Sequence, residues 1–260
     1  MIIKNLPQKT ILKEIKLSGI GLHSGVQINI TLKPAAENHG FVFIRTDLNP
    51  NISIPALANF VSKTDRGTTI SKEGVEIKTI EHILAALVGC GINNCIIETS
   101  GGEIPIMDGS SIKFVEAIQK TGVKEQDALQ EVFEVDETIK ISDEITGSEI
   151  MIIPDSELSI SVMIDFDTEV LGTQNAILKD IKDFNTAIAN CRTFGFLHEL
   201  ETLLNKNLIK GGDVNNAIIY VNKPLAKANM DRLKKAFNNE DIAVKKNGIL
   251  NNLTLNHSNE

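Results

Sequence analysis

Val26, Ile28, Ile30 and Leu32 alternate with polar residues, which predicts a strand with one buried face, ended by Pro34. The preceding stretch Leu17-Ser-Gly-Ile-Gly-Leu-His-Ser-Gly25 is rich in turn residues, and Phe41-Val-Phe-Ile-Arg45 predicts a second strand. From Glu81 to Cys90 the period changes. Ile83, Leu84, Leu87 and Val88 fall on one side of a helix. Ile92 to Glu98 is β-branched and reads as a strand, and Pro105-Ile-Met-Asp-Gly109 reads as a turn. Ser110 is placed to cap a second helix with Phe114, Val115 and Ile118 on one face and Gly122 as its stop.

A similar order follows. Ile139-Lys-Ile-Ser142 echoes Ile15-Lys-Leu-Ser18, and Glu149-Ile-Met-Ile-Ile-Pro154 echoes the strand ending at Pro34. Leu158–Phe166 reads as another strand, and Phe184–Ala189 and His198–Leu204 read as helices. The offset is roughly 120 residues, longer than a solenoid period. Two copies of one strand-strand-helix-helix unit explain it, and so does the ordinary recurrence of such elements in an α+β chain. The boundary falls near Lys124–Leu129, giving expected domains 1–126 and 127–260. The second carries an extra strand-helix-strand insertion near 196–221, which ends in a strand over Ala217–Val221. After Pro224 the sequence is polar through Asn239, with no apolar closing helix. The expected fold class is α+β, with two similar sheet-and-helix domains and the second one incomplete.

The chain has 260 residues, 42% hydrophobic and 23% charged, which suits a globular protein with a real core. A net charge of −8 with no Lys/Arg cluster disfavours nucleic-acid binding. Trp is absent and Tyr occurs once, so no aromatic platform for bases is expected. The longest apolar run, Ile83–Ile92, is too short to span a bilayer, so no integral membrane segment is expected. The N-terminus lacks the layout of a signal peptide, and three cysteines without a CxxC pair fit a reducing compartment. A cytoplasmic location is expected.

Glu81-His82 is the sharpest candidate for chemistry: an imidazole able to bind metal beside a carboxylate able to polarise water. The bland reading is equally physical, since Glu in a first helical turn suits the helix dipole and Thr79 is placed to cap. His23 lies among glycines that admit a close partner or simply make a hairpin. No G-x-G-x-x-G opens a helix after a strand, and no P-loop is present. Ala189-Asn-Cys-Arg-Thr-Phe-Gly-Phe196 offers a hydroxyl and an aromatic wall to a ligand, or is a corner with buried Phe. Ile164-Asp-Phe-Asp167 is either a polar ligand edge or a strand end. His257 and Glu260 have metal spacing but no helical pattern around them, and His39 and His198 read as surface residues.

Taken together, Gly19-Ile-Gly-Leu-His-Ser-Gly25, Thr79-Ile-Glu-His-Ile-Leu-Ala-Ala-Leu87, Glu103-Ile-Pro-Ile-Met-Asp-Gly-Ser110 and Arg192-Thr-Phe-Gly-Phe196 resemble the signatures of one family. It is the UDP-3-O-acyl-N-acetylglucosamine deacetylases, the zinc enzymes of lipid A synthesis (the LpxC family). Asp47-Leu-Asn-Pro50 and Lys210-Gly-Gly212 fit as well. The resemblance implies two sheet-and-helix domains with the active site between them. It implies a substrate that is a UDP-linked, acylated glucosamine, and Zn2+ as cofactor. His82 resembles a zinc ligand, Glu81 the general base and Thr193 the hydroxyl that steadies the oxyanion. Phe166 and Phe196 resemble substrate-lining residues, and the insertion resembles the wall of an acyl passage. His23 matches a position near the metal. The family's other two zinc ligands, a His and an Asp four residues later, sit on a helix, and Leu253–Glu260 resembles the strand before it. On that resemblance the expectation is a chain inactive alone, because two zinc ligands are missing; a longer chain fused to a dehydratase unit, as in some members, is an alternative left open. The rival reading is a non-catalytic nucleotide-sugar-binding or interaction protein.

Overall fold

The computed structural model describes residues 2–197, 211–212, 216–222, 227–236, 239–244, 248–250 and 255–256. The chain begins with β1 (Ile2–Ile11), β2 (Ile15–Ile20), β3 (Gln27–Pro34), β4 (Phe41–Arg45) and β5 (Ile52–Pro55). Three short strands follow, β6 (Val61–Lys63), β7 (Thr69–Lys72) and β8 (Val75–Ile77), then α1 (Glu81–Gly89), β9 (Cys95–Thr99) and α2 (Ile112–Thr121). Next come β10 (Val123–Val132), the hairpin of β11 (Ile139–Ser142) and β12 (Glu149–Ile152), and the hairpin of β13 (Ile160–Asp165) and β14 (Thr173–Leu178). The helix α3 (Phe184–Ala187), strands β15 (Phe194–Phe196) and β16 (Ile218–Tyr220), and the helix α4 (Lys227–Ala236) complete the described elements. The molecule is mixed α+β, as expected.

A five-stranded sheet in the order β2-β3-β9-β4-β5 forms the main scaffold, with β4 and β9 parallel and the other neighbours antiparallel. The alternation in β3 turns Ile28, Ile30 and Leu32 inward to 2% exposure or less. Against this sheet lie α1, through Ile83, Ala86 and Leu87, and α2, through Phe114, Val115 and Ile118. Burying each of the large side chains contributes about 1.5–3 kcal/mol. The N-cap of α2 is Ser111, one residue later than expected, and it makes no side-chain cap bond; Ser110 instead supports the approach to the helix, its Oγ accepting the Ile112 N–H at 3.1 Å. Gly122 ends the helix with φ +91°, a region where a side chain is strained.

Several local expectations change. Ile92-Asn93-Asn94 is not strand, because the Asn93 and Asn94 N–H groups are both spent on the Lys9 carbonyl, at 2.8 and 3.1 Å. Lys124–Leu129, expected as a polar connector, lies in β10 and pairs along β1 from Ile2↔Val132 to Ile11↔Val123. The 126/127 boundary therefore falls inside a strand. The ribbon is tied to the sheet by buried amides. Asn94 Nδ2 donates to Gln8 Oε1 and Gln126 Oε1 at 2.8 Å each, and Asn94 Oδ1 accepts the Gly40 N–H at 2.8 Å. The polar stretch after Pro224 contains α4, which buries Leu233 against Leu197, Ile219, Ile242 and Leu250. The predicted helix at His198–Leu204 lies outside the described residues, as do His257 and Glu260.

The two hairpins of the second half are amphipathic. In β11–β12 the pairs Ile139↔Ile152 and Ile141↔Ile150 share one face, and these four side chains remain 37–63% exposed. In β13–β14 the face bearing Ile160, Val162 and Ile164 is likewise open. Beyond the hairpins the chain returns to the first core. Leu178, Phe184 and Ala189 are buried within it, and the Phe184 ring occupies the space where a β-carbon on Gly89 would lie.

Candidate active site

The first turn of α1 carries Glu81 and His82. Thr79 does not cap it; the N-cap is Ile80, with no side-chain bond. Thr79 takes a left-handed conformation (φ +59°) and its hydroxyl faces Glu103 Oε1 at 3.3 Å. Glu103 is 2% exposed, and its carboxylate also accepts the N–H groups of His23 at 2.9 Å and Ser24 at 3.0 Å. Three of the sequence motifs thus meet on one buried carboxylate. A charge in such a place is sustained by hydrogen bonds to it.

Glu81 is also held. Its Oε2 accepts the N–H of Thr68 at 2.9 Å, and Gly67, at φ +153°, leaves the room for this; a β-carbon there would lie 3.0 Å from Glu81 Oε1. His82 is half-buried, and burial holds its imidazole below the ordinary value, against the opposing pull of the Glu81 and Asp108 charges. A neutral imidazole is the form that binds a metal. Asp108 Oδ1 accepts from the N–H of Ser110 at 3.1 Å and from its hydroxyl at 2.9 Å, closing the turn that Gly109 (φ +87°) makes possible. Among the described residues no three His, Cys, Asp or Glu side chains cluster as a metal-binding group.

Thr193 reaches the same region from the second half. Its N–H donates to the Gly109 carbonyl at 2.7 Å, and its own carbonyl accepts the Ile218 N–H at 2.9 Å. Phe166 and Phe196 come together at 6.5 Å between ring centroids, edge to face. Phe194 completes that cluster at 5.3 and 5.8 Å, and Tyr220 stands 6.0 Å from Phe194. Phe194 belongs to the strip read from the sequence as a possible aromatic wall; Tyr220 was not singled out as a site residue. The signal was the alternate spacing of Phe194 and Phe196 beside a strand-forming Ile-Ile-Tyr. His23 lines a groove of about 600 Å³ shared with Arg45, Glu76 and Lys78; the lining includes neither Glu81 nor His82. Asp165 Oδ1 accepts the Asp167 N–H at 3.1 Å, which makes that pair a strand-end turn. His39 is exposed, as expected. No described helix is long and apolar enough to cross a membrane.

The sequence model of the family described as LpxC, UDP-3-O-acyl N-acetylglycosamine deacetylase, matches residues 8–260. The bifunctional enzyme LpxC/FabZ of Bacteroides thetaiotaomicron is 38% identical over 255 residues, covering 98% of this chain and 55% of that protein. The protein of the same name from Chlorobaculum tepidum is 43% identical over 256 residues, 97% of this chain and 55% of its own length. The UDP-3-O-acyl-N-acetylglucosamine deacetylase of Myxococcus xanthus is 42% identical over 213 residues, 82% of this chain and 67% of that one. The chain spans about half the length of the bifunctional relatives. With a match over nearly all of its residues, this chain belongs to the LpxC family of UDP-3-O-acyl N-acetylglycosamine deacetylases.

Proposed function

We propose that this protein hydrolyses the acetamide of UDP-3-O-acyl-N-acetylglucosamine, releasing acetate, in the zinc-dependent deacetylation step of lipid A biosynthesis in the cytoplasm. The observation that carries the reading is the paired placement of Glu81 and His82 on the first turn of α1, with Glu81 oriented by the Thr68 N–H and burial holding the imidazole below its ordinary value. His82 is the described residue that would hold the zinc. When bound, the metal supplies a water acidified towards neutral pH.

Glu81, its carboxylate oriented by the Thr68 N–H, would accept a proton from the attacking water and return one to the departing amine nitrogen. As the carbonyl carbon becomes tetrahedral, the Thr193 hydroxyl donates to the developing oxyanion. The aromatic cluster of Phe166, Phe194 and Phe196 offers an apolar wall to the nucleotide-sugar. In this reading the chain has two similar units, 1–126 and 127–260, with the site where the Gly109 turn of the first meets Thr193 of the second. The names of two relatives join this family to a second activity in one chain, which supports fusion to a further unit as part of the proposal.

The test is acetate release from the acylated UDP-sugar by the protein expressed from its complete gene, with zinc supplied. Glu81→Gln keeps its zinc and loses activity by about 10²–10⁴-fold, the usual worth of a general base. His82→Ala loses zinc on dialysis. Full turnover by zinc-loaded Glu81→Gln protein overturns the role of Glu81. Nucleotide-sugar binding without any turnover by the unaltered protein leaves the binding-protein reading instead.

A further inference from the structure

We propose that Gly109 is a positioning residue for Thr193, setting where the hydroxyl of Thr193 stands relative to the Asp108–His82 side of the site. This rests on the reading of Thr193 as the oxyanion donor.

The turn at 106–110 is closed from within. The Gly109 N–H donates to the Ile106 carbonyl at 3.0 Å, Asp108 holds Ser110, and both Met107 (φ +55°) and Gly109 (φ +87°) are left-handed. A rigid turn of this kind transmits position. Its outward-facing carbonyl, that of Gly109, receives the Thr193 N–H at 2.7 Å. On its other side Thr193 is fixed by the Ile218 N–H on its carbonyl, the first rung of the β15–β16 pairing. Both peptide groups of Thr193 are therefore committed, one to the Gly109 turn and one to the β16 segment.

The β16 segment itself rests on Gly109. A β-carbon on Gly109 would collide with the Asn216 carbonyl, so the two backbones meet with no side chain between them. Asn216 is 9% exposed, and its side-chain amide donates to the Gly211 carbonyl at 2.9 Å. Gly211 in turn donates its N–H to Leu22 O at 3.2 Å, in the loop that carries His23. Adding one methyl group at Gly109 must separate the segment from the turn, or twist the turn out of its left-handed conformation. Either movement carries Thr193 away from the residues that Asp108 accompanies. A donor displaced from a forming oxyanion loses most of its value while ground-state binding is largely kept.

The experiment is a double-mutant cycle in the protein from the complete gene, read as kcat and KM. Thr193→Ala is expected to lower kcat by about 10²-fold. Gly109→Ala is expected to lower kcat to a similar extent with KM within about 3-fold, with zinc content unchanged. In the Thr193→Ala background Gly109→Ala then has no further effect, because its influence passes through the lost hydroxyl. Multiplying losses would make Gly109 a merely structural glycine and overturn the inference while the proposed function stands. If Thr193→Ala leaves kcat untouched, the assigned role of Thr193 falls, and the inference with it. Should Gly109→Ala not fold, Asn216→Ala loosens the same seat from the opposite side. It must lower kcat in the unaltered protein and do nothing in Thr193→Ala, and any other pattern rejects the proposal.

Discussion

A guanidinium and a carboxylate two residues apart illustrate how single side chains set local pH behaviour. Arg45 donates from Nε and Nη2 to the two oxygens of Asp47, at 2.8 and 2.7 Å, and from Nη1 to the Glu76 carbonyl at 3.0 Å. The bond to Arg45 holds the Asp47 carboxyl below its ordinary value. A depressed carboxyl stabilises the fold above its unfolded value of 3.8, and this contribution disappears as pH falls through the folded value. With the Asp47 side chain 32% exposed, solvent limits the effect to about 1 kcal/mol. Asp47→Asn is therefore expected to lower urea stability by that amount at pH 7, and to match the unaltered protein near pH 2. An unchanged gap at low pH would remove the carboxylate charge as the cause. Cys95 shows the opposite case: burial pushes its thiol up to about 12, so alkylating reagents should spare it in the folded state.

At the level of elements, the sequence was most legible where one face of a strand or helix is buried. The β3 alternation, the apolar stripe of α2 and the Gly122 stop all followed from period and turn chemistry. The β1–β10 ribbon did not. Pro7 interrupts β1 with a register shift, and β10, whose positions alternate in exposure from Glu125 on, puts Gln126 and Gln130 on the same half-buried side as Ala128 and Val132, so its sequence shows no apolar period of two. The helix α4 was hidden by composition: among its described side chains Met230 and Leu233 supply the apolar contacts, in a stretch otherwise Lys, Ala, Asn, Asp and Arg. In the site, the motif strips pointed to Glu81, His82 and Thr193, but not to Glu103 as the common acceptor. That role depends on three segments meeting in space. The ribbon also supports a sharp prediction. Asn94→Ala leaves the buried Gln8, the half-buried Gln126 and the Gly40 N–H each short of a partner, at about 1–3 kcal/mol for each group left unsatisfied. A loss of at least 2 kcal/mol in chemical denaturation is expected, and a loss below 0.5 would show that water replaces the amide.

Across the whole molecule, apolar burial is uneven. One large core lies under the five-stranded sheet and receives Phe184 from the second half, while the two hairpins leave isoleucines open to water. Isolated hairpins are marginal in water, and contiguous apolar faces promote association. The 260-residue polypeptide is expected to bind a hydrophobic dye and to self-associate. Ile141→Thr with Ile150→Thr should reduce both in dye titration and light scattering while leaving the main melting transition in place. Equal association by the double variant would locate the adhesive surface elsewhere.

The β1–β10 pairing also bears on how the polypeptide matures at the ribosome. Ile11 leaves the exit tunnel long before its partner Val123 has been synthesised. At about 5–20 residues per second the interval is on the order of ten seconds. Throughout it the first strand lacks its β10 partner, and the Gln8 amide waits first for Asn94 and then for Gln126 to complete the network. The early-made strand thus stands as a template for mispairing until its distant partner follows.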